Sequence, residues 1–169
     1  MSTDNVITVF ADHKLMWQGR TYACALGKGG VLQDKREGDG ATPVGRFKLK
    51  RVLYRPDRLK RPETTLNVAE ITKQDGWCDD PTHADYNRPV TLPFVASHEV
   101  LWRDDHIYNV IVVMGHNDDP PVPYKGSAVF FHLARPHFEA TEGCVAVTQD
   151  VMLKILKSVT EETVMEIRL

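Results

Sequence analysis

The segment AVFFHLARPHFEATEGCVAV, residues 128–147, sets two short apolar runs on either side of a polar loop. The first run, residues 128–133, has the continuous apolar character of a buried strand and carries His132 near its end. The second run, residues 144–147, begins at Cys144, directly after a glycine. A thiol needs a nearby base to become the thiolate that attacks a carbonyl group, and an imidazole is a suitable base. We therefore predict that the two runs are neighbouring strands that bring His132 and Cys144 together.

Each of these residues also has a simpler structural explanation. A lone cysteine is more often a small buried apolar residue than a nucleophile. A histidine at a strand end is more often a hydrogen-bonded structural group than a base. His137 is closer to Cys144 in the sequence, but it lies in the loop. It is therefore the weaker candidate for the base, and contact with a substrate is the alternative role for it.

The backbone before Cys144 suggests how a reacting carbonyl group would be held. The N–H groups of Glu142, Gly143 and Cys144 could converge as an oxyanion hole if the turn exposes them. Gly143 has no side chain, which would leave room for the approaching carbonyl. The carbonyl of Leu133, or a nearby side chain, could fix the imidazole tautomer of His132.

Composition argues against several classes of partner. The 169 residues contain 21 Lys and Arg against 23 Asp and Glu, so no electrostatic argument favours nucleic acid or an anionic membrane. The longest apolar run, VIVVM at residues 110–114, is far too short to span a membrane. The first residues, MSTDNVITVF, lack the basic start and apolar centre of a secretory signal. We expect a monomer with one domain over residues 1–169, with two small lobes as the alternative.

The remaining cysteine and histidine spacings favour neither zinc nor a disulfide framework. Three cysteines at wide spacing, Cys24, Cys78 and Cys144, form no CxxC pair, although a single Cys24–Cys78 disulfide is left open. Possible metal ligands lack the HxxxH spacing of a helical zinc site. We therefore expect no metal and no cofactor. The metal ligands considered are His98, Glu99, His116, Asp118 and Asp119.

Period-two alternation predicts strands through most of the chain. The predicted strands are residues 6–10, 14–18, 21–25, 47–54, 106–114 and 163–169, with residues 106–114 apolar enough to be buried on both faces. Thr148 is a good N-cap, and Met152, Ile155, Leu156 and Val159 share one helical face behind it. We predict a mostly β domain, a sandwich or barrel-like sheet with one or two packed helices.

Two regions are harder to assign. Residues 55–85 form the least regular part of the chain, and their length and Trp77 indicate an ordered, functional loop. Residues 90–95 read as a short strand interrupted by Pro93, and residues 97–103 fit a helix or a strand equally well. A dense group of turn-forming residues, EGDGATPVG at 37–45, requires an ordered loop, which by itself is best explained as a tight connection.

Two separated motifs together resemble the catalytic domain of L,D-transpeptidases of the YkuD type. Thr141-Glu142-Gly143-Cys144, with His132 upstream, resembles the family's Ser/Thr-x-Gly-Cys motif and its histidine. The segment GDGATPVGRF at residues 38–47 is similar to the family's G-x-x-T-P-x-G-x-F loop. Two motifs in the correct order are more specific than either alone, and the resemblance covers roughly residues 6–147.

The resemblance implies a cysteine acyltransferase that acts on peptidoglycan stem peptides, both as donor and as acceptor, and forms 3-3 or 1-3 cross-links through a Cys144 thioester. It implies that Cys144, His132 and Gly143 are catalytic, and that the location is the periplasm or cell envelope. The substrate contacts that we expect are Arg135, His116, Trp77 and Thr141.

Departures from the family pattern leave alternatives open. The His-to-Cys loop is short, Glu142 stands where many members have histidine, and Ala146 stands where Asn or Arg usually follows. These features resemble a compact, divergent branch without an appended peptidoglycan-binding module. The alternatives are hydrolysis of the same thioester by an L,D-carboxypeptidase or amidase, and a binding module that has lost catalysis.

Overall fold

The computed structural model describes residues 5–169, so the first four residues of the predicted domain lie outside the described part. Strands make up most of the regular structure in this range. They are β1 (Val6–Phe10), β2 (Lys14–Trp17), β3 (Arg20–Ala23), β4 (Val31–Leu32), β5 (Thr42–Pro43), β6 (Gly45–Tyr54), β7 (Val68–Glu70), β8 (Asp75–Cys78), β9 (Pro89–Thr91), β10 (His98–Val100), β11 (Val110–Met114), β12 (Phe130–Leu133), β13 (Val145–Val147) and β14 (Val164–Arg168). The described residues contain one α-helix, α1 (Gln149–Leu156), and a short 3-10 turn at Pro136–Phe138.

The main sheet curls until its two ends nearly meet. Its strand order is β13-β12-β11-β6-β14-β1-β2-β3, with β7 beside β6. Just beyond β3, Ala25 exchanges two backbone hydrogen bonds with Ala146 of β13, at 2.8 and 3.0 Å. The sheet is therefore nearly closed and barrel-like, which confirms the mostly β prediction and selects the barrel-like form of it.

Two apolar clusters lie on opposite faces of the central strands. The inner core contains Val110 and Val112 of β11 together with the buried face of α1. The second cluster, the site-side core, contains Ile111 and Val113 of the same strand, and it also includes Cys144. All five residues of β11 are buried, as the continuous apolar sequence predicts. Strand β11 therefore separates the two clusters.

Helix α1 follows β13 directly and packs on the inner core. Met152, Ile155 and Leu156 are buried, as the helical spacing predicts. Thr148 occupies the N-cap position, but its side chain makes no capping hydrogen bond. Its hydroxyl bonds the Asp150 carboxylate instead. The prediction of Thr148 as the N-cap residue is therefore confirmed, although its hydroxyl does not cap the helix.

The structure also corrects several strand boundaries. The central strand begins at Val110 and not at residue 106, because Asn109 N–H closes a turn onto the carbonyl of His106 at 3.0 Å. Within residues 97–103, where the sequence fitted a helix or a strand, the structure has strand β10, which pairs with β8. The predicted strand at residues 90–95 is displaced and shortened to β9, which ends before Pro93, a residue with no N–H to donate to a ladder.

All three cysteines are free thiols, so the Cys24–Cys78 disulfide that the sequence left open is not formed.

Candidate active site

Cys144 and His132 lie on the same face of two paired strands. Strands β12 and β13 are parallel, with Phe131 opposite Val145 and His132 opposite Ala146. Phe131 and Val145 belong to the inner core, so the alternating neighbours His132 and Cys144 turn to the opposite face. The register of one strand pair thus places both side chains on the site side of the sheet.

The imidazole of His132 has a defined tautomer. The ring is almost fully buried, and its Nδ1 lies 2.9 Å from the carbonyl oxygen of Leu133. Because a carbonyl oxygen only accepts hydrogen bonds, Nδ1 must carry the proton and Nε2 must have a free lone pair. The ring of Tyr108 packs edge-on against the imidazole, with ring centroids 5.3 Å apart. Leu133 therefore makes the contact that the sequence suggested for it.

Burial keeps both groups of the pair neutral at rest. It raises the pKa of the Cys144 thiol to about 12, and the nearby charge of Glu99 acts in the same direction. Burial lowers the pKa of His132 to about 4. The thiol itself donates to the carbonyl of Ala128 and accepts from the N–H of Phe130, both at 3.3 Å. The resting site is consequently a neutral thiol beside a neutral imidazole.

Thr141 shapes the turn that leads to Cys144. Its hydroxyl accepts the N–H of Gly143 at 3.1 Å and donates to the carbonyl of Cys144 at 2.7 Å. The Gly143 N–H is therefore already engaged, whereas the N–H groups of Glu142 and Cys144 make no hydrogen bond to any described residue. The prediction that all three amides converge as free donors needs correction at Gly143.

Gly143 is required for a different reason than the one expected. Its φ is +137°, and a Cβ atom there would lie 2.7 Å from the carbonyl oxygen of Ala41. The glycine thus allows the turn to approach the backbone of the 38–47 loop. Across this contact the two sequence motifs, far apart in the chain, form one structure.

The 38–47 loop is organised by an ion pair. Asp39 accepts the backbone N–H groups of Arg36 at 2.7 Å and Ala41 at 2.8 Å. Its carboxylate also pairs with Lys35, whose side chain is almost fully buried. The Lys35 ammonium lies near Gly143, 3.8 Å from where a Cβ would be. The loop is more than the tight connection that its sequence alone favours, because it forms one wall of the site.

A cavity of about 270 Å³ opens beside Cys144 and His132. Its lining includes three positive and four negative side chains. The positive side chains are Lys35, Arg103 and Arg135, and the negative ones are Glu37, Asp79, Glu99 and Glu142. Glu142 forms an ion pair with Lys28. The hydroxyl of Tyr108 donates to Glu99 at 2.9 Å, and burial raises the pKa of that carboxyl group to about 7. We call this space the catalytic cavity.

Two of the four predicted substrate contacts line the catalytic cavity and two do not. Arg135 and Thr141 are on its wall. Trp77 is buried in the site-side core, where it packs edge-on against Phe130 with centroids 5.0 Å apart. Trp77 is therefore not a substrate contact in the catalytic cavity, contrary to the prediction.

His116 is also placed elsewhere. Its Nε2 lies 3.2 Å from the carbonyl oxygen of Lys125, and its ring packs against Phe47. It lines a second cavity with Trp77 and is absent from the wall around Cys144. The prediction that His116 contacts the substrate in the catalytic cavity is corrected accordingly.

Sequence reasoning missed Lys35, Glu99 and Tyr108 as parts of the site. The sequence suggests Glu99 only as a possible metal ligand, and it places Tyr108 in the central strand. Neither residue belongs to a motif, because the fold brings them to Cys144 from a distant part of the chain. Only Lys35 gave a signal, since it lies just before the glycine-rich loop.

A comparison with family models matches residues 2–167 to the L,D-transpeptidase catalytic domain, YkuD. The chain belongs to the YkuD family. The activity of this L,D-transpeptidase family is on peptidoglycan, the polymer of the cell wall. A comparison with curated proteins gave no match.

Across residues 5–169, no group of three or more His, Cys, Asp and Glu side chains is arranged to hold a metal ion. Within the same range, no helix has both the length and the apolar character needed to cross a membrane.

Proposed function

We propose that this chain is a cysteine acyltransferase that forms L,D cross-links between peptidoglycan stem peptides through a Cys144 thioester. The observation that carries the proposal is the placement of Cys144 and His132 on one sheet face and in one cavity. The Leu133 contact at Nδ1 supports it further, because it leaves Nε2 of His132 available as a base. We also propose that residues 1–169 act as one catalytic domain in the cell envelope.

The first half of the reaction makes the thioester. His132 Nε2 takes the Cys144 proton as Sγ attacks the donor peptide carbonyl, so that proton transfer and S–C bond formation proceed together. This coupling suits a neutral pair, since no thiolate needs to exist beforehand. The tetrahedral intermediate then collapses, its C–N bond breaks, and the imidazolium returns the proton to the leaving amine.

The second half transfers the acyl group. A neutral amine of the acceptor stem attacks the thioester carbonyl, and His132 accepts the proton that the amine loses. The C–S bond breaks, the proton passes to the departing sulfur, and the thiol is restored. Water in place of the amine would give a shortened monomer instead of a cross-linked dimer.

The oxyanion is held by the unengaged amides of Glu142 and Cys144. Gly143 contributes by allowing the turn, and its own N–H stays with the Thr141 hydroxyl. The ammonium of Lys35, near this turn and paired with Asp39, adds positive charge on the same wall. Arg135, on the cavity wall, is suited to a carboxylate of the stem peptide.

The test is a muropeptide assay with wild type, Cys144→Ala and Cys24→Ala. Cys24 is a matched control because it is equally buried and burial also raises its thiol pKa to about 12, yet it lies in the inner core. We expect cross-linked dimers with wild type and Cys24→Ala and none with Cys144→Ala. Intact-protein mass spectrometry should show an acyl adduct that Cys144→Ala lacks.

The outcomes separate the alternatives. Dimers made by Cys144→Ala would reject Cys144 as the nucleophile. Shortened monomers without dimers, accompanied by an adduct on Cys144, would replace transfer by hydrolysis. Absence of both adduct and product with folded wild type would indicate a non-catalytic binding module.

A further inference from the structure

A second cavity, of about 250 Å³, lies on the other side of the strand segment that supports Cys144. Its apolar wall consists of Trp77, Val113, Met114 and Phe130. Val129 lines both this space and the catalytic cavity. Three cationic side chains also line it, so we call it the basic cavity. They are Lys50, Arg51 and Arg88.

A β-bulge in strand β6 explains how two consecutive basic residues, Lys50 and Arg51, reach one cavity. In a regular strand, neighbouring side chains point to opposite faces. Here the pairing of β6 with β11 slips: Val113 faces Arg51, but Met114 faces Leu49, so Lys50 is left over. Burial follows the same slip, since Phe47 and Leu49 are buried before it and Val52 after it. The bulge therefore turns Lys50 and Arg51 toward the same space.

The protein balances only one of the three positive charges in the basic cavity, through Asp118 on the same wall. Lys50 pairs with Asp118 at 3.4 Å. The guanidinium groups of Arg51 and Arg88 form no ion pair or side-chain hydrogen bond with any residue in the range 5–169. The Nε of Arg51 is, moreover, fully buried without a partner. A buried donor without an acceptor is unfavourable, so an external acceptor would be bound favourably here.

We propose that the basic cavity binds a carboxylate group of a peptide strand. The planar, forked donors of two unpaired arginines match the two oxygens of a carboxylate. The apolar wall of Trp77 and Phe130 accommodates the chain that carries it. The proposal rests on the proposed function for the source of that strand, a peptidoglycan stem peptide engaged at a second point besides Cys144.

The position of the cavity connects it to the chemistry. Phe130 contributes its ring to the apolar wall, and its backbone N–H donates to Sγ of Cys144 at 3.3 Å. Asn87 links Trp77 to the segment before β12. Its Oδ1 accepts hydrogen bonds from Trp77 Nε1 at 2.9 Å and from the N–H of Ala128 at 3.0 Å. A peptide held in the basic cavity therefore lies against the residues that fix the nucleophile.

The test is isothermal titration calorimetry of a stem tetrapeptide into protein carrying Cys144→Ala, which removes turnover. In this background Arg51→Gln should weaken binding roughly tenfold and Arg88→Gln, at an exposed position, about threefold. Arg20→Gln is the matched control, because Arg20 is an exposed arginine that lines neither the catalytic cavity nor the basic cavity. The tetrapeptide with its carboxylates amidated should bind all four proteins equally weakly.

Folding does not confound this comparison, because Arg51→Gln removes no hydrogen bond of the buried Nε atom. We expect Arg51→Gln to unfold at the same temperature as the parent or a higher one. Equal affinity of the Arg51, Arg88 and Arg20 variants, or unchanged affinity of the amidated peptide, would overturn the proposal. Binding is measured without catalysis, so failure of the cross-linking assay and failure of the basic cavity are separate results.

Discussion

Gly143 is constrained by its backbone angle and by its neighbour. Its φ of +137° is rarely adopted by other residues, and Ala41 O occupies the space of a Cβ at 2.7 Å. Gly30 offers a matched comparison, with φ of +76° and nothing within 4 Å of its Cβ position. Gly30→Ala should therefore lower the free energy of unfolding by about 1–2 kcal/mol from backbone strain alone.

Gly143→Ala should be more damaging because it combines the strain with a backbone collision, and we expect a loss of at least about 3 kcal/mol. The movement of the turn should also reduce acylation of Cys144. Urea denaturation of both variants measures the difference. Equal losses for Gly30→Ala and Gly143→Ala would show that the contact with Ala41 does not constrain the turn.

The ionisation of Cys144 leads to a second prediction at the level of a residue. Burial raises the pKa of its thiol to about 12 and lowers that of His132 to about 4. Because the thiolate is the reactive form, alkylation by iodoacetamide should be slow at pH 7 and should rise about tenfold per pH unit up to at least pH 10. Mass spectrometry after digestion assigns the label to Cys144. A rate that levels off below pH 8 would indicate a thiolate–imidazolium pair instead.

The positions of single residues could be predicted where a sequence motif defined them. They could not be predicted where they depended on which side chains the fold buries. The proximity of Cys144 and His132 was predicted because glycine, cysteine and an upstream histidine occur in an order that resembles a known family. Trp77 was misplaced because an aromatic residue in an irregular segment looks the same whether it faces a cavity or the core. Its burial depends on packing against Phe130, which lies 53 positions away in the sequence.

At the scale of elements, α1 shows which sequence signals were reliable. The buried face was predicted correctly because 3.6-residue spacing reports directly on which side meets the core. The capping bond was not, because the Thr148 hydroxyl has a competing acceptor in Asp150. The break in β6 was visible in the sequence as Phe47, Leu49 and then Val52, but a bulge is hard to distinguish from imperfect alternation.

Helix α1 supplies the third prediction, on the stability of an element. Thr148→Ala should change the free energy of unfolding by less than about 0.5 kcal/mol, because no side-chain capping bond is lost. Ile155→Ala should cost about 2–5 kcal/mol, because Ile155 is 1% exposed and its truncation leaves a cavity in the inner core. Lys154→Ala, on the exposed side, is the control. Thermal unfolding of the three variants provides the measurement, and a large loss in Thr148→Ala would contradict the structure.

For the molecule as a whole, the half-buried Glu99 and the buried His132 at the catalytic cavity have opposite effects on stability as pH changes. Burial raises the pKa of Glu99 from 4.5 to about 7. The stability that Glu99 contributes to the folded state is therefore complete below about pH 4.5 and is lost as the pH rises through 7. Burial lowers the pKa of His132 from 6.5 to about 4. The stability that His132 contributes to the folded state is therefore complete above pH 6.5 and is lost as the pH falls through 4.

Between about pH 4.5 and 6.5 the two effects on stability offset each other. Removing the titration of one group should therefore reveal the pH dependence that the other group causes. Glu99→Gln keeps an acceptor for Tyr108 but cannot ionise, so its stability relative to wild type should improve by about 3 kcal/mol between pH 4.5 and 8. Glu161→Gln, at an exposed position, should show no such trend. Because the Glu99 charge also raises the thiol pKa of Cys144, Glu99→Gln should alkylate faster than wild type at pH 8. Denaturant unfolding at several pH values decides the matter: a constant difference between Glu99→Gln and wild type would mean that Glu99 titrates as an ordinary surface carboxylate.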